Sequence, residues 1–374
     1  MIKRTLSYIV LSDIHLGHQR NKTANIIKNL REFFKQYNSL IKRCGVIFLA
    51  GDTFDRLLLN SSPELIKSTE WLLELVLYCK KHSIKLRILE GTPSHDWEQL
   101  KMLTTMIEKM DVDIDYQYIN TLHIEIMQDT GMSILYVPDE YKPTAIETYQ
   151  EVLKLLVEKD LTKVDIAIMH GAFHHQLPMV ELPSSHNEDD YQSIVNAYIH
   201  IGHIHTPSVY GSILAQGSFD RLTHGEEGDK GGVLVTLSPH EQSFKILKNV
   251  NALVFKTLDY RGYKYNEVID KFPIDITTIP KESHIRLLVD SDTALVKAVK
   301  AFKTKYIDFN IKIETKAPSG STELNLTHVV DDTSFSITPD NIIKLLKDEM
   351  SKHELTSDEY ELYDEEMKLV LEYI

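Results

Sequence analysis

The sequence predicts a layered α/β fold. Short apolar runs such as Tyr8–Leu11 and Val46–Ala50 are typical of buried strands. Between them lie longer segments whose apolar residues recur at helical spacing, so strand and helix alternate along the chain. Several of these strands end in Asp, His or Gly. Because open α/β sheets place ligands at the carboxyl ends of their strands, we expect one shared site at these strand ends.

The helices of this alternation are predicted from spacing and capping residues. Residues 21–42 carry apolar side chains at helical intervals. Ser62 and Pro63 are a typical N-cap and first residue for a helix that runs to about His82. The other predicted elements of the first domain are a helix over 97–110, a hairpin over 122–137, a helix over 144–158 and a hairpin over 231–247.

Five predicted strands each lead into side chains that can bind a metal ion. The segments are Asp13-Ile-His15, Gly51-Asp52, Ser94-His95-Asp96, His170-Gly171 and Gly202-His203-Ile-His205. In an extended chain alternate side chains share a face, so Asp13 and His15 can address one ion. A single Asp-x-His would suggest only a turn with an aspartate cap. Asp, His or both recur at five predicted strand ends, and this recurrence favours a metal centre.

This series resembles that of the calcineurin-like metallophosphoesterases, and more narrowly that of the SbcD-type recombination nucleases. The narrower likeness rests on Asp13–Gly17, Gly51–Asp55, Gly202–His205 and Gly217–Glu226, and it covers residues 5–250 well. The resemblance implies a four-layer α/β/β/α sandwich with a small α+β capping domain. It also implies a DNA exonuclease or endonuclease that works in repair, recombination or phage DNA metabolism.

The resemblance and the chemistry of the ligands together assign roles to these residues. The expected ligands are Asp13, His15 and His205 for a first divalent ion, His170 and His203 for a second, and Asp52 as the bridge between them. Mixed carboxylate and imidazole ligation suits manganese, with iron, magnesium and zinc as alternatives. His95 would donate a proton to the leaving oxygen or bind the phosphate, and Asp96 would orient it. Asp55 would lie behind the ligands.

One segment departs from the family pattern. The family has Gly-Asn-His-Asp, whereas this chain has Gly91-Thr-Pro-Ser94-His95-Asp96. Ser94 therefore stands where the amide ligand of the second ion is expected. Because a neutral hydroxyl is a weaker ligand than an amide carbonyl, we expect the second ion to bind less tightly or to recruit water.

Composition narrows the class of protein. The formal net charge is −14, which argues against a broad basic face for DNA, although a metal centre or a partner subunit can hold phosphate. Cys44 and Cys79 are expected to be buried thiols. No apolar run reaches the length of a membrane helix, so a cytoplasmic protein of a bacterial cell or a phage-infected host is expected.

The chain is expected to have four parts. These are a metallophosphoesterase domain (1–250), a small α+β capping domain that binds DNA (251–316), a linker (317–337) and a helical pair (338–374). The resemblance implies that the helical pair binds an SbcC-like coiled-coil ATPase and that helices within 62–110 form a homodimer. Packing of the helical pair on this chain remains open. A stand-alone phosphoesterase for small nucleotides or phosphoproteins and a scaffold with a degenerate site are the alternatives.

Overall fold

The computed structural model describes residues 5–177, 182–238, 242–290, 295 and 298–316. By its internal contacts the chain divides after Ala317, and the described residues all belong to the first unit, Met1–Ala317. The predicted linker 317–337 and helical pair 338–374 therefore lie outside the described residues.

The first sheet has six strands and carries the first motifs of the sequence. Its strands are β1 (Leu6–Leu11), β2 (Val46–Ala50), β3 (Lys85–Leu89), β4 (Tyr116–Ile119), β11 (Gly231–Leu237) and β12 (Gln242–Lys248). They lie in the order β12-β11-β1-β2-β3-β4. β1 to β4 are parallel, and β11 runs antiparallel to both β1 and β12. The carboxyl ends of β1, β2 and β3 thus meet at one edge.

The second sheet also has six strands. They are β5 (His123–Ile126), β6 (Ser133–Val137), β7 (Ile166–Gly171), β8 (Ile199–His203), β9 (Ser208–Tyr210) and β10 (Ile213–Ala215). Their order is β5-β6-β7-β8-β10-β9. The four central strands are parallel, and the two edge strands β5 and β9 are antiparallel to their neighbours. The predicted hairpin over 122–137 is β5 and β6.

The helices follow the predicted alternation, with some boundaries shifted. They are α1 (Thr23–Gln36), α2 (Asn38–Ile41), α3 (Pro63–His82), α4 (Pro93–Asp96), α5 (Lys101–Lys109), α6 (Ala145–Glu158) and α7 (Glu188–Ile194), with a 3-10 turn at His174–Gln176. Ser62 caps α3 as expected, since its side chain accepts from the Leu65 amide. The helix predicted over 97–110 begins only at Lys101, because Trp97 and Glu98 have φ of 48° and 52°.

Apolar side chains of both sheets form one buried cluster. It includes Tyr8 and Phe48 of the first sheet and Tyr136 and Ile168 of the second. Other clusters join the first sheet to α1 and α3, and the second sheet to α6 and α7. Cys44 and Cys79 are buried free thiols, as expected. The chain is a mixed α/β fold with several parallel and mixed sheets.

An ion pair also joins the two sheets. Arg87 of β3 is 2% exposed, and its guanidinium donates two hydrogen bonds to Glu125 of β5, at 2.9 and 2.6 Å. A buried guanidinium requires such a partner, since an unpaired charge in the interior is strongly unfavourable. Asp115 accepts a further hydrogen bond from Arg87, at 2.7 Å.

Residues 251–316 form a third sheet with its own apolar cluster. The strands are β13 (Phe255–Asp259), β14 (His284–Asp290) and β15 (Asn310–Lys316), all parallel, with the helices α8 (Tyr265–Asp275) and α9 (Val299–Lys305). Phe272 and Phe302 pack in this cluster. The strands and helices expected here are present, but parallel strands that alternate with helices form an α/β unit and not the expected α+β arrangement. Within the described ranges, no helix is both long and apolar enough to cross a membrane.

Candidate metal centre

The predicted residues follow the carboxyl ends of strands in both sheets. Asp13 and His15 follow β1, and Asp52 follows β2. His170 lies in β7, and His203 ends β8. The amides of Asp13 and His15 donate to the carbonyls of Gly51 and Asp52, at 3.1 and 3.0 Å, so the loops after β1 and β2 continue side by side. The fold therefore brings the separate motifs together.

The backbone at these positions is unusual. Asp13, His15, Asp52 and His203 all have positive φ, between 48° and 93°. Non-glycine residues rarely adopt this region, and each such residue costs about 1–3 kcal/mol. Four such residues in one cluster mark a place where geometry is maintained at the expense of stability, which is typical of functional sites.

Glycines allow the two sheets to approach each other here. A Cβ at Gly202 would lie 2.0 Å from Ser12 Oγ and 2.5 Å from the Ala50 carbonyl oxygen. A Cβ at Gly51 would lie 2.1 Å from His170 Nδ1. Both contacts are far inside van der Waals separation. The glycines beside the Asp and His residues in the sequence are therefore required for close approach of backbone and imidazole.

The six predicted Asp and His ligands form two neighbouring groups, and Asp52 belongs to one of them. Within each group the potential ligand atoms all lie within 4.8 Å of one another. The groups are Asp13, His15 and His205, and Asp52, His170 and His203. A third group joins Asp52 and His15 to His95. These buried His and Asp clusters can bind metal ions.

The hydrogen bonds of His170 test whether this group fits a cation. Its Nδ1 lies 2.7 Å from the Ala50 carbonyl oxygen, which fixes the ring proton on Nδ1. Nε2 then presents a lone pair, is buried without a hydrogen-bond partner, and lies 3.2 Å from Asp52 Oδ1. A lone pair facing a carboxylate at this distance is unfavourable, and either a metal ion between the two atoms or a proton on Nε2 makes the contact favourable.

A similar arrangement exists in the first group. His205 Nδ1 lies 3.0 Å from Glu226 Oε1. Asp55 Oδ1 lies 3.2 Å from His15 Nδ1, at ion-pair distance although the N–H is not aligned for a hydrogen bond. Carboxylates therefore favour protons on both Nδ1 atoms, which leaves lone pairs on both Nε2 atoms. These two Nε2 atoms lie only 3.1 Å apart, so this group also fits a cation.

The pKa shifts of Asp52 and His170 also indicate that this pocket suits a cation. Burial raises the pKa of Asp52, but the neighbouring imidazoles outweigh it and hold the pKa well below its usual range. Burial lowers the pKa of His170, but Asp52 outweighs it and raises the pKa. The pocket therefore stabilises positive charge beside a carboxylate.

The segment after β3 differs from what the sequence predicts. The Ser94 side chain is exposed. The backbone carbonyl oxygen of Ser94 accepts a hydrogen bond from Trp97 Nε1 at 2.6 Å. Thr92 lies in the centre instead. Its amide donates to Asp52 Oδ1 at 2.7 Å, and its Oγ1 lies 3.3 Å from His203 Nδ1. Metal binding by Ser94 stays a prediction, but the residue placed among the candidate ligands is Thr92.

His95 and Asp96 lie in the same loop but have different partners. His95 Nδ1 lies 2.8 Å from Asp52 Oδ2, so His95 reaches the centre as predicted. The carboxylate of Asp96 is buried and accepts from the amides of Phe54 and Gly91, at 2.8 and 2.7 Å. Among the described residues, the hydrogen bonds of Asp96 do not include one to His95. Asp96 thus holds two motif loops together.

Two carboxylates at the centre were not among the predicted site residues. Asp139 follows β6, and its Oδ2 lies 3.6 Å from His203 Nδ1. Its signal in the sequence is the one used elsewhere, an Asp just after an apolar strand, Ser133–Val137. Glu226 was noted only as part of a motif. Beside its contact with His205, its Oε2 accepts from the buried ammonium of Lys230 at 2.7 Å.

Comparisons with known proteins add little about function. No family model matches the chain, and none of the curated proteins matches it. Two of the solved structures that match have TM-scores of 0.39 and 0.38, each at 10% identity, and one of them is the protein TT1561 of Thermus thermophilus. The matches cover 65% and 66% of this chain, and 99% and 100% of those chains. An α/β fold with clustered His and Asp groups is compatible with a metallophosphoesterase.

Proposed function

We propose that this chain is a two-metal-dependent DNA phosphodiesterase of the SbcD type. The observation that carries the proposal is the two buried groups of Asp and His ligands, which are connected by a third group that contains both His15 and Asp52. A bridged pair of divalent ions requires two adjacent groups of acidic and imidazole ligands with a carboxylate between them. Asp52 is the candidate bridge, since its Oδ2 lies 3.7 Å from His15 Nε2 and its Oδ1 lies 3.2 Å from His170 Nε2. In this proposal the two sheets are the inner layers of a four-layer α/β/β/α sandwich, and the motif loops lie along one edge of both sheets.

Ions bound here, manganese above all, would activate the attacking oxygen and stabilise the charge of the leaving oxygen. The protein's own contribution is orientation. Carbonyl and carboxylate oxygens fix the Nδ1 side of His170 and His205, which directs each Nε2 into the centre. Asp13 is positioned in turn by the His203 amide, which donates to both carboxylate oxygens at 2.9 and 3.1 Å.

His95 is the proposed proton donor and phosphate contact. It is partly exposed, whereas the candidate ligands Asp52 and His170 are buried. The hydrogen bond to Asp52 raises the pKa of His95, against the smaller lowering effect of burial. A raised pKa keeps the ring protonated to higher pH, so His95 can donate a proton to a leaving oxygen or pair with an anionic phosphate.

A cleft between the two parts of the described unit supports a polyanionic substrate. It has a volume of about 590 Å³, and its charged lining residues are Arg20, Lys22, Lys281, Glu282 and Asp308, of which Asp308 pairs with Lys281 at 2.8 Å. Arg20 and Lys22 follow the first motif, whereas Lys281 and His284 belong to the 251–316 module. Three cationic and two acidic side chains line the cleft, so it is less acidic than the chain as a whole, whose net charge is −14. We propose that DNA lies along it and that 251–316 is the capping module.

Two associations belong to the same proposal. Ile66 and Leu77 of α3 are 53% and 52% exposed, although each is apolar, and we propose that this face forms a homodimer. We also propose that residues 338–374, which lie outside the described residues, bind an SbcC-like ATPase. Deletion of 323–374 should then abolish binding of that ATPase and leave cleavage by the remaining chain intact.

The test of the function is an assay of the purified chain with Mn²⁺ on linear and hairpin DNA. Asp52→Asn removes charge from the shared carboxylate, and Asp229→Asn, which lies on the surface in an ion pair with Lys248, is the matched control. We expect the wild type and the control to cleave DNA and Asp52→Asn to be inactive. Cleavage of a p-nitrophenyl phosphodiester without cleavage of DNA would support the small-substrate alternative. Equal activity of all three proteins would reject the metal-centre assignment.

A further inference from the structure

The Asp52, His170 and His203 group has lost the amide ligand that the resemblance implies. Ser94 stands in that place in the sequence, but its side chain is exposed. The structure places another hydroxyl in the centre. Thr92 Oγ1 lies 3.4 Å from Asp52 Oδ2, 3.3 Å from His203 Nδ1 and 3.1 Å from Asp139 Oδ2. Three candidate ligand atoms from three separate segments thus surround one threonine hydroxyl.

Asp139 reaches this point from the loop after β6. Its Oδ1 accepts from the Glu140 amide at 3.0 Å, which holds the carboxylate in place. Its Oδ2 lies 3.6 Å from His203 Nδ1, which is too long for a hydrogen bond but suits two ligands of one ion. His170 Nε2 is buried without a hydrogen-bond partner and lies 3.2 Å from Asp52 Oδ1. Asp139 lies just outside the group of Asp52, His170 and His203, and it contacts that group through His203 and Thr92.

We propose that Asp139 completes the site of the second ion in place of the missing amide, with the Thr92 hydroxyl beside it. This inference rests on the proposed function, because it presumes that the Asp52, His170 and His203 group holds an ion. The site then contains two carboxylates, Asp52 and Asp139, where the family pattern has one carboxylate and one neutral amide. The weaker second site expected from Ser94 is therefore replaced by a site with an additional negative charge.

The additional carboxylate has a consequence for metal choice. Carboxylate and hydroxyl oxygens are hard ligands that suit Mn²⁺ and Mg²⁺, whereas imidazole suits Zn²⁺. A second site with two carboxylates and a hydroxyl beside two imidazoles should therefore bind Mn²⁺ more tightly than the same site with Asn at position 139. The affinity of this site for Zn²⁺ should differ less between the wild type and Asp139→Asn, since both imidazoles remain.

The test is a titration of the metal-free, full-length chain with Mn²⁺, in which free Mn²⁺ is measured by electron paramagnetic resonance without any substrate. The variants are Asp139→Ala and Asp139→Asn, and Glu140→Gln is the matched control because Glu140 is the exposed neighbour. We expect two ions per wild-type chain. In Asp139→Ala one of the two should bind at least roughly tenfold more weakly, with Asp139→Asn between wild type and Ala. The other ion and the control should be unchanged.

Thermal melting of the metal-free proteins separates this effect from misfolding. Equal melting temperatures with weakened binding of one ion support the inference. Unchanged Mn²⁺ binding in Asp139→Ala would overturn it, because Asp139 would then only accept a hydrogen bond from Thr92. Two ions bound by a wild type without phosphodiesterase activity would reject the proposed function but leave the ligand assignment intact. A wild type that binds no Mn²⁺ would overturn both.

Discussion

His15 Nε2 lies 3.1 Å from His205 Nε2, although 190 positions separate the two residues in the chain. His15 follows a strand of the first sheet, and His205 follows a strand of the second. Carboxylates on the far side of both rings favour Nδ1 protons, so two lone pairs face each other. Two lone pairs at this distance fit a cation bound between the two rings, at the edge that both sheets share.

Asp52 should control both ions at once. Its oxygens lie 3.2 Å from His170 Nε2 and 2.8 Å from His95 Nδ1, and it belongs to groups on both sides of the centre. We expect Asp52→Ala to reduce Mn²⁺ binding at both sites and to abolish cleavage of every phosphodiester substrate. Metal content of the dialysed protein is the measurement. Loss of a single ion, with the second retained at wild-type affinity, would contradict the bridging assignment.

His95 should affect turnover more than metal content. Its ring is partly exposed and contacts the centre through Asp52. We expect His95→Asn to keep both ions and to lower kcat roughly 10²–10⁴-fold, which is the usual contribution of a general acid. Mn²⁺ titration beside steady-state kinetics on the same preparation checks this. Loss of an ion in His95→Asn would make His95 a ligand.

Glu226 should determine how tightly the group of Asp13, His15 and His205 binds its metal ion. It orients His205 through Oε1 and is itself held by Lys230 and the Ser218 hydroxyl, at 2.7 and 3.2 Å. Replacement of a carboxylate behind a ligating histidine typically costs about 10–100-fold in metal affinity or activity. We expect such a loss for Glu226→Gln, confined to one ion.

Glu227→Gln is the control for Glu226→Gln, because the adjacent glutamate pairs on the surface with Lys256 instead. The control should bind both ions as the wild type does. If the two variants behaved alike, Glu226 would have no particular role in orienting His205.

Most residues of this centre could be predicted because their signals lie within short stretches of sequence. Strand ends, glycines and alternating Asp and His residues are properties of a few consecutive positions, and parallel strands bring such positions to one edge. Asp139 was missed because one Asp after one strand carries little information. Its partner Thr92 lies 47 positions away. The Ser94 prediction counted positions along a lengthened turn, whereas the chain begins α4 there and brings Thr92 inward.

In the fold, too, features set by local sequence were predicted and features set by distant partners were not. Most strands and the cap of α3 follow from local pattern and were predicted, but β4 and the ion pair between Arg87 and Glu125 were not. A buried arginine in a strand can be recognised only when its partner in another sheet is known. The break between α4 and α5 at Trp97 and Glu98 likewise depends on backbone angles that the side-chain pattern does not specify.

The exposed face of α3 should mediate self-association. Ile66 and Leu77 are exposed on one side of the helix, whereas Leu73 between them packs partly against the core. Burial of each exposed apolar side chain is worth about 1.5–3 kcal/mol. We expect the wild type to be dimeric and Leu77→Glu to be monomeric by light scattering after size exclusion. Val157→Glu on α6 also places a charge at an exposed apolar position and should leave the dimer intact. A dimeric Leu77→Glu would place the interface elsewhere.

A buried histidine behind the centre should make stability depend on pH. The Tyr8 hydroxyl and His200 Nε2 form a hydrogen bond across the two sheets, at 3.0 Å. Burial lowers the pKa of His200 to about 3, against a smaller raising effect of Gln216. In the unfolded chain this pKa returns to about 6.5. Between about pH 6.5 and 3 the unfolded state therefore binds more protons, so stability falls as the pH falls, by about 1.4 kcal/mol per pH unit from this residue.

The comparison that isolates His200 is with His200→Gln, which stays neutral throughout and can still accept from Tyr8. We expect the free energy of unfolding in urea to fall more steeply with decreasing pH in the wild type than in the variant, from about pH 6.5 down to about pH 4. Other buried histidines, such as His186 with a pKa lowered to about 4 by burial, contribute equally to both proteins and cancel in the difference. Parallel pH profiles for the two proteins would show that His200 does not titrate as a buried neutral group.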